Sequence, residues 1–295
     1  MDTSFEKHFN LVENKSEAMT MENPTILRKQ QELAFLQQAQ QQGFALIETD
    51  FIETLTWTQL SPDDLKQMTE RSMWQSDDHV YALRNDFTDQ LMRYYSIYQR
   101  EHSMLAYSGP IARHQNVALQ LGLECYDPTI QTVQHAYQFF KSYIETTLQE
   151  SLDFAVIGHF ELIELLLGTQ AKDPALLQLL GQRNISGLKA QLGVSHPLIQ
   201  LLSTPTDAQL AQLHTLFPQD HKILQSLSRW ETFLHQQGVA HIHLDITPQP
   251  PRSYYKGTFI KTYLSSGKVL SGGDYKGTLE GFGLGLTLNT KEATE

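Results

Sequence analysis

Three short stretches carry side chains suited to holding a small polar molecule. In 81–88 (YALRNDFT), Asp86 offers a carboxylate and Thr88 a hydroxyl two residues on, a pair able to hold an ammonium group. Asp86 equally reads as a helix N-cap, with Asp89 favouring the helix dipole, and one side chain can do both. In 116–126 (NVALQLGLECY), the two-residue period of a strand puts Gln120, Gly122 and Glu124 on one face. Gly122 leaves a gap between an amide and a carboxylate, where a polar ring can exchange hydrogen bonds; a plain sheet face with a glycine bulge fits the same residues. Arg113 lies just upstream as a candidate anion clamp. The third stretch, 254–260 (YYKGTFI), opens on the paired tyrosines Tyr254 and Tyr255.

Other constellations are less specific. His241, His243 and Asp245 share one face of a strand, raw material for a metal site, yet i, i+2 spacing closes no coordination shell and an ordinary half-buried strand fits. No metal is assigned. The glycines of 281–286 (GFGLGL) imitate a phosphate-cradling loop, but no helix pattern follows them, so a strand pressed close to another backbone is the better reading. No Ser-His-Asp or Cys-His set has recognisable spacing. Cys125 reads as a small core residue, and as the single cysteine it leaves no intrachain disulfide.

The elements that must position these groups follow from the pattern. A helix is predicted from Asn23-Pro24 to a cap at Gly43, then a strand over 44–52 and a helix opening at Ser61-Pro62. A strand over 79–84 leads into a helix starting at Asn85-Asp86. Two strands, 104–113 and 116–126, surround a turn, and Asp127-Pro128 opens another helix. Residues 128–238 are read as a mostly helical insertion that includes one strand-like segment, 152–158. Strands return at 240–247, 254–264, 268–272 and 281–289. This order predicts an α+β fold with an antiparallel sheet flanked by helices. Its core would be discontinuous, 23–127 with 239–295, and 1–22 an N-terminal arm.

Composition narrows the partners. With 22 basic residues against 33 acidic ones, the net charge of −11 opposes nucleic acid as the main partner, since phosphate is held by clustered Lys and Arg. The apolar runs are too short for a membrane span and the N-terminus is unlike a signal peptide, so a cytoplasmic protein is expected.

Taken in order, the motifs resemble those of the histidyl-tRNA synthetases. YALRNDFT is similar to their Leu-Arg-Pro-Glu-x-Thr segment, QLGLE matches Gln-x-Gly-x-Glu, and SYYKGTF resembles their paired-tyrosine loop. SGGDYKG and GFGLGL resemble Gly-Gly-Arg-Tyr-Asp and the closing Gly-Phe-Gly-x-Gly-x-x-Arg. The departures are systematic: the catalytic arginine falls at Pro250 with Arg252 displaced, the closing arginine at Leu288, and the Gly-Gly-Arg arginine at Asp274. The loop between Arg113 and Gln120 is short, and the chain ends where the resemblance would place an anticodon-binding domain.

Adenylation leans on cations around a phosphoryl centre, one arginine contributing about 10³–10⁵ in rate. A bound amino acid needs only a few charged hydrogen bonds of about 1.5–3 kcal/mol each. The set therefore resembles the regulatory-subunit family of ATP phosphoribosyltransferase. That resemblance implies a class II synthetase-like fold, no aminoacylation, no cofactor, and a hetero-octamer-like complex of its dimers with the short catalytic subunit, at the first step of histidine biosynthesis. It also implies a histidine-like pocket: Asp86 and Thr88 at the amino group, Gln120 and Glu124 at the imidazole or amino end, Tyr254 and Tyr255 as walls, Arg113 at a carboxylate or phosphate. Two other readings stand beside it, a stand-alone tRNA-independent amino-acid-activating ligase and a scaffold with a vestigial pocket.

Overall fold

The computed structural model describes residues 23–55, 71–113, 116–218, 221–246, 250 and 252–289. The expected arm 1–22 and the helix at Ser61-Pro62 lie outside them. Helix α1 (Pro24–Gln41) starts where Asn23 accepts a hydrogen bond from the Thr25 amide at 2.9 Å and Pro24 needs no donor partner; it ends before Gly43, whose φ is +87°.

The stretch 44–52 is not one strand. Strand β1 (Ala45–Leu46) forms one edge of the main sheet and β2 (Ile52–Leu55) belongs to a small one. Between them buried side chains take the backbone carbonyls that a neighbouring strand would have taken. Arg84 donates to the Thr49 carbonyl at 3.0 Å and Gln90 to that of Asp50 at 2.8 Å. Strands β3 (Met73–Ser76) and β4 (His79–Leu83) complete the small sheet in the order β2-β4-β3. Helix α2 (Phe87–Ile97) follows, capped by Asp86, which accepts from the Asp89 amide at 3.0 Å.

Strands β5 (Met104–Arg113) and β6 (Asn116–Tyr126) form a hairpin at the predicted residues. After helix α3 (Ile130–Tyr143) come β7 (Leu152–His159) and a run of short helices: α4 (Leu162–Leu167), α5 (Pro174–Gly181), α6 (Ile185–Leu192), α7 (Pro197–Ser203) and α8 (Gln209–Leu216). Helix α9 (Lys222–Gln236) leads to β8 (His241–Asp245), β9 (Tyr255–Leu264), β10 (Val269–Lys276) and β11 (Glu280–Asn289). The main sheet has the order β1-β5-β6-β11-β10-β9-β7-β8. It is antiparallel through its centre, but the outermost pairs, β1 with β5 and β7 with β8, are parallel, so the sheet is mixed.

Within 128–238, β7 is a strand of this sheet between β9 and β8, and α3 and α9 cover one sheet face; the helical run α4–α8 lies in between. On that face Phe35 meets Phe139, Phe140 and Tyr143, and Trp230 stacks on Phe282 at 5.8 Å. Alternation along β11 sends Phe282, Leu284, Leu286 and Leu288 into this core. The opposite face carries glycines and polar residues on β6 and β11, and there α2 packs Phe87 and Leu91 against Tyr107 and Ile111. Among the described residues no helix is long and apolar enough to cross a membrane.

Candidate functional site

A cleft of about 450 Å³ opens on that opposite face, between α2, the β5–β6 hairpin and the β9–β10–β11 strands. Asp86, Thr88, Arg113, Gln120 and Tyr255 line it, so five of the seven predicted site residues meet there. Asp86 stands at the mouth as the N-cap of α2. Arg113 donates to the Asn85 carbonyl at 2.8 Å and to the Asp86 carboxylate at 3.3 Å, so its guanidinium is held against the cap. Gln120 lines the cleft and keeps its buried Oε1 without a hydrogen-bond partner among the described residues.

Glu124 and Tyr254 lie behind the wall. Glu124 is fully buried and takes three hydroxyl donors: Thr88, Tyr107 at 3.3 Å, and Tyr275 at 2.8 Å. Burial pushes its carboxyl up to about 7 against those hydrogen bonds. Thr88 thus touches both the cleft and the buried carboxylate. Tyr254 packs on Tyr255, ring centroids 5.0 Å apart, and on Tyr275 at 6.2 Å.

No bulge occurs at Gly122, which pairs regularly with Tyr107 and Gly285. A Cβ there would sit 2.2 Å from the Tyr107 ring, so the missing side chain is the space that ring occupies. The glycines of β11 serve the same end: a Cβ on Gly283 would lie 2.9 Å from the Glu124 carboxylate. They admit side chains from below.

Sequence reasoning missed Tyr107 and Tyr275, because nothing in the spacing says that two tyrosines from separate strands converge on one carboxylate. It also left out Phe160, Phe259 and Lys261, which line the cleft. Phe259 and Lys261 follow Tyr255 at even spacing on β9, a signal that alternation alone could have supplied. Arg252, set aside as displaced, reaches the cleft wall and donates to Asp89 at 3.2 Å. Asp274, at the arginine position of the synthetase motif, turns inward instead. It accepts from the Thr258 amide at 2.8 Å where the β9–β10 register shifts, and burial raises it to about 6. Asp245 lines the cleft, whereas His243 packs edge-on against Phe154 at 4.8 Å. Among the described residues no three His, Cys, Asp or Glu side chains gather to hold a metal.

Comparison with known proteins agrees with this architecture. The family model for histidyl-tRNA synthetase matches residues 24–291. ATP phosphoribosyltransferase regulatory subunits of Staphylococcus aureus strains Newman and MRSA252 are each 45% identical over 265 residues, covering 89% of this chain and 97% of theirs. Among solved structures, an ATP phosphoribosyltransferase regulatory subunit/histidyl-tRNA synthetase from Bacillus halodurans superposes with a TM-score of 0.70 at 20% identity, over 91% of this chain and 81% of that one. A chain of the HisG:HisZ ATP phosphoribosyl transferase complex from Thermotoga maritima gives 0.66 at 15% identity, over 90% and 98%. At such identities the structures speak for the fold, while the sequence relatives speak for the family. This chain belongs to the ATP phosphoribosyltransferase regulatory subunits, a family built on the histidyl-tRNA synthetase fold.

Proposed function

We propose that this chain is the non-catalytic regulatory subunit that works with the short-form catalytic subunit of ATP phosphoribosyltransferase, at the first step of histidine biosynthesis, and that its cleft binds histidine. Asp86 and Thr88 take the amino group, Gln120 the imidazole, and Arg113 the carboxylate, with Tyr255 as the wall. Glu124 acts through Thr88, and Tyr254 backs Tyr255. The complex contains dimers of this chain in a hetero-octamer-like assembly in the cytoplasm.

The observation that carries this reading is where the synthetase cations have gone. Leu288 is buried in the core on the far side of the sheet, and Asp274 puts a carboxylate where an arginine is expected. Arg113 and Arg252 remain at the cleft but are paired with Asp86 and Asp89. Amino-acid recognition survives such losses, whereas phosphoryl chemistry loses about three orders of magnitude or more per arginine.

Two assays test it. Calorimetry with histidine should show binding that Asp86→Ala removes, and the chain should raise the turnover of the catalytic subunit. Histidine-dependent ATP–pyrophosphate exchange by the isolated chain would instead support a ligase. Silence in calorimetry, with the catalytic subunit still activated, would mark the pocket as vestigial.

A further inference from the structure

The small sheet has one buried face and one open face. Register places Thr54, Tyr81 and Trp74 in one row across β2-β4-β3, with Ile52 and His79 on the same side. Leu55, Val80 and Ala82 fill the other side and are buried. On the open side Trp74 is 43% exposed and Ile52 49%. Trp74 stacks on Tyr81 with centroids 5.7 Å apart, and His79 follows at 6.3 Å. The β3–β4 turn beside this platform carries two exposed carboxylates, Asp77 and Asp78.

Aromatic faces rimmed by carboxylates attract a cation, with tryptophan the best ring for it and arginine its commonest partner. The net charge of −11 adds a field that draws basic surfaces. Exposed tryptophan and tyrosine on a rigid sheet are also the residue types that dominate protein interfaces.

The inner side of the same sheet is wired to the cleft. Glu53 on β2 is buried and pairs with Arg71 and, at 2.5 Å, with Arg93. Arg93 also pairs with Asp89 at 2.5 Å, and Asp89 with Arg252 on the cleft wall at 3.2 Å. The signs alternate without a break from the sheet to the cleft. Buried charges tolerate displacement of a partner poorly, so a shift at either end is felt along the chain.

We propose that the open face of β2-β4-β3 docks a lysine- or arginine-bearing segment of the catalytic subunit, with Trp74 as its central contact, and that the Arg71–Glu53–Arg93–Asp89–Arg252 chain couples this contact to the cleft. The inference rests on the regulatory-subunit reading for the existence of that partner.

The test is the dissociation constant of the full chain for the short-form catalytic subunit, with and without histidine. Trp74→Ala should weaken binding at least about tenfold, and Asp77→Asn with Asp78→Asn should weaken it several-fold and flatten its salt dependence. Unchanged melting temperatures verify that these exposed substitutions leave the fold intact. Arg93→Lys, which keeps the charge but cannot fork between two carboxylates, should shrink the histidine effect on partner affinity. If the surface variants bind as tightly as the parent chain, the docking face is elsewhere although the regulatory reading stands. If the parent chain itself fails to bind the catalytic subunit, both fall.

Discussion

Glu124 shows how far a single residue's behaviour departs from its letter. Its carboxyl is held near 7 by burial, while in the unfolded chain it titrates near 4.5. Below about pH 4.5 both states keep the proton. As pH rises toward 7 only the unfolded chain releases it, so this group's contribution falls by about 3 kcal/mol across that window. His159, which burial lowers to about 4, slopes the other way, because its neutral form is favoured in the folded chain. The difference between parent and Glu124→Gln therefore isolates the carboxylate. Urea midpoints at pH 5 and pH 7.5 should show the variant losing less stability than the parent over that interval. Equal losses would mean that Glu124 is ionised throughout. The sequence placed this residue on the right face but gave no hint that three hydroxyls would close over it.

At the scale of elements, helix α2 brings its N-cap to the cleft. Asp86 caps the helix and stands at the cleft mouth. Asparagine caps as well as aspartate, so Asp86→Asn should change stability by less than about 0.5 kcal/mol, whereas Asp86→Ala should cost about 1 kcal/mol. Both should lower histidine affinity by about tenfold or more, because the charge is gone in each. Thermal melts and calorimetry on the pair separate the two roles; retained affinity in the asparagine variant would remove Asp86 from the ammonium site. The β5–β6 hairpin and helices α2, α5, α6 and α7 were legible because each carries its own signal, an alternation or a cap followed by an apolar repeat. The split of 44–52 was not. It depends on Arg84 and Gln90, some 30 to 40 residues away, claiming the Thr49 and Asp50 carbonyls.

For the whole molecule, the decisive fact is the strand order. Strand β11, the last of the described strands, lies between β6 and β10, and it supplies both the floor of the cleft and four buried side chains of the central core. A fragment comprising 23–126 should therefore stay unprotected in amide hydrogen exchange, because β6 keeps β5 but loses β11, its neighbour toward the centre of the sheet, and Glu124 lacks Tyr275. Supplying 127–295 in trans should restore protection. A stably folded 23–126 would show that the first half is a domain by itself. The acidic charge, readable from composition, fits a protein partner across this scaffold.

By itself the sequence determined the strands and helices with strong local periodicity, the order of the motifs, their departures at Pro250, Asp274 and Leu288, and five residues that line the cleft. Only the tertiary structure decided that Tyr107 and Tyr275 would serve Glu124, that Arg252 would return to the cleft through Asp89, and that the small sheet would keep an aromatic face open. The reason is physical. Periodicity and caps act over a few residues and are written locally, whereas buried hydrogen bonds and ion pairs form between groups that are neighbours only after the sheet has closed.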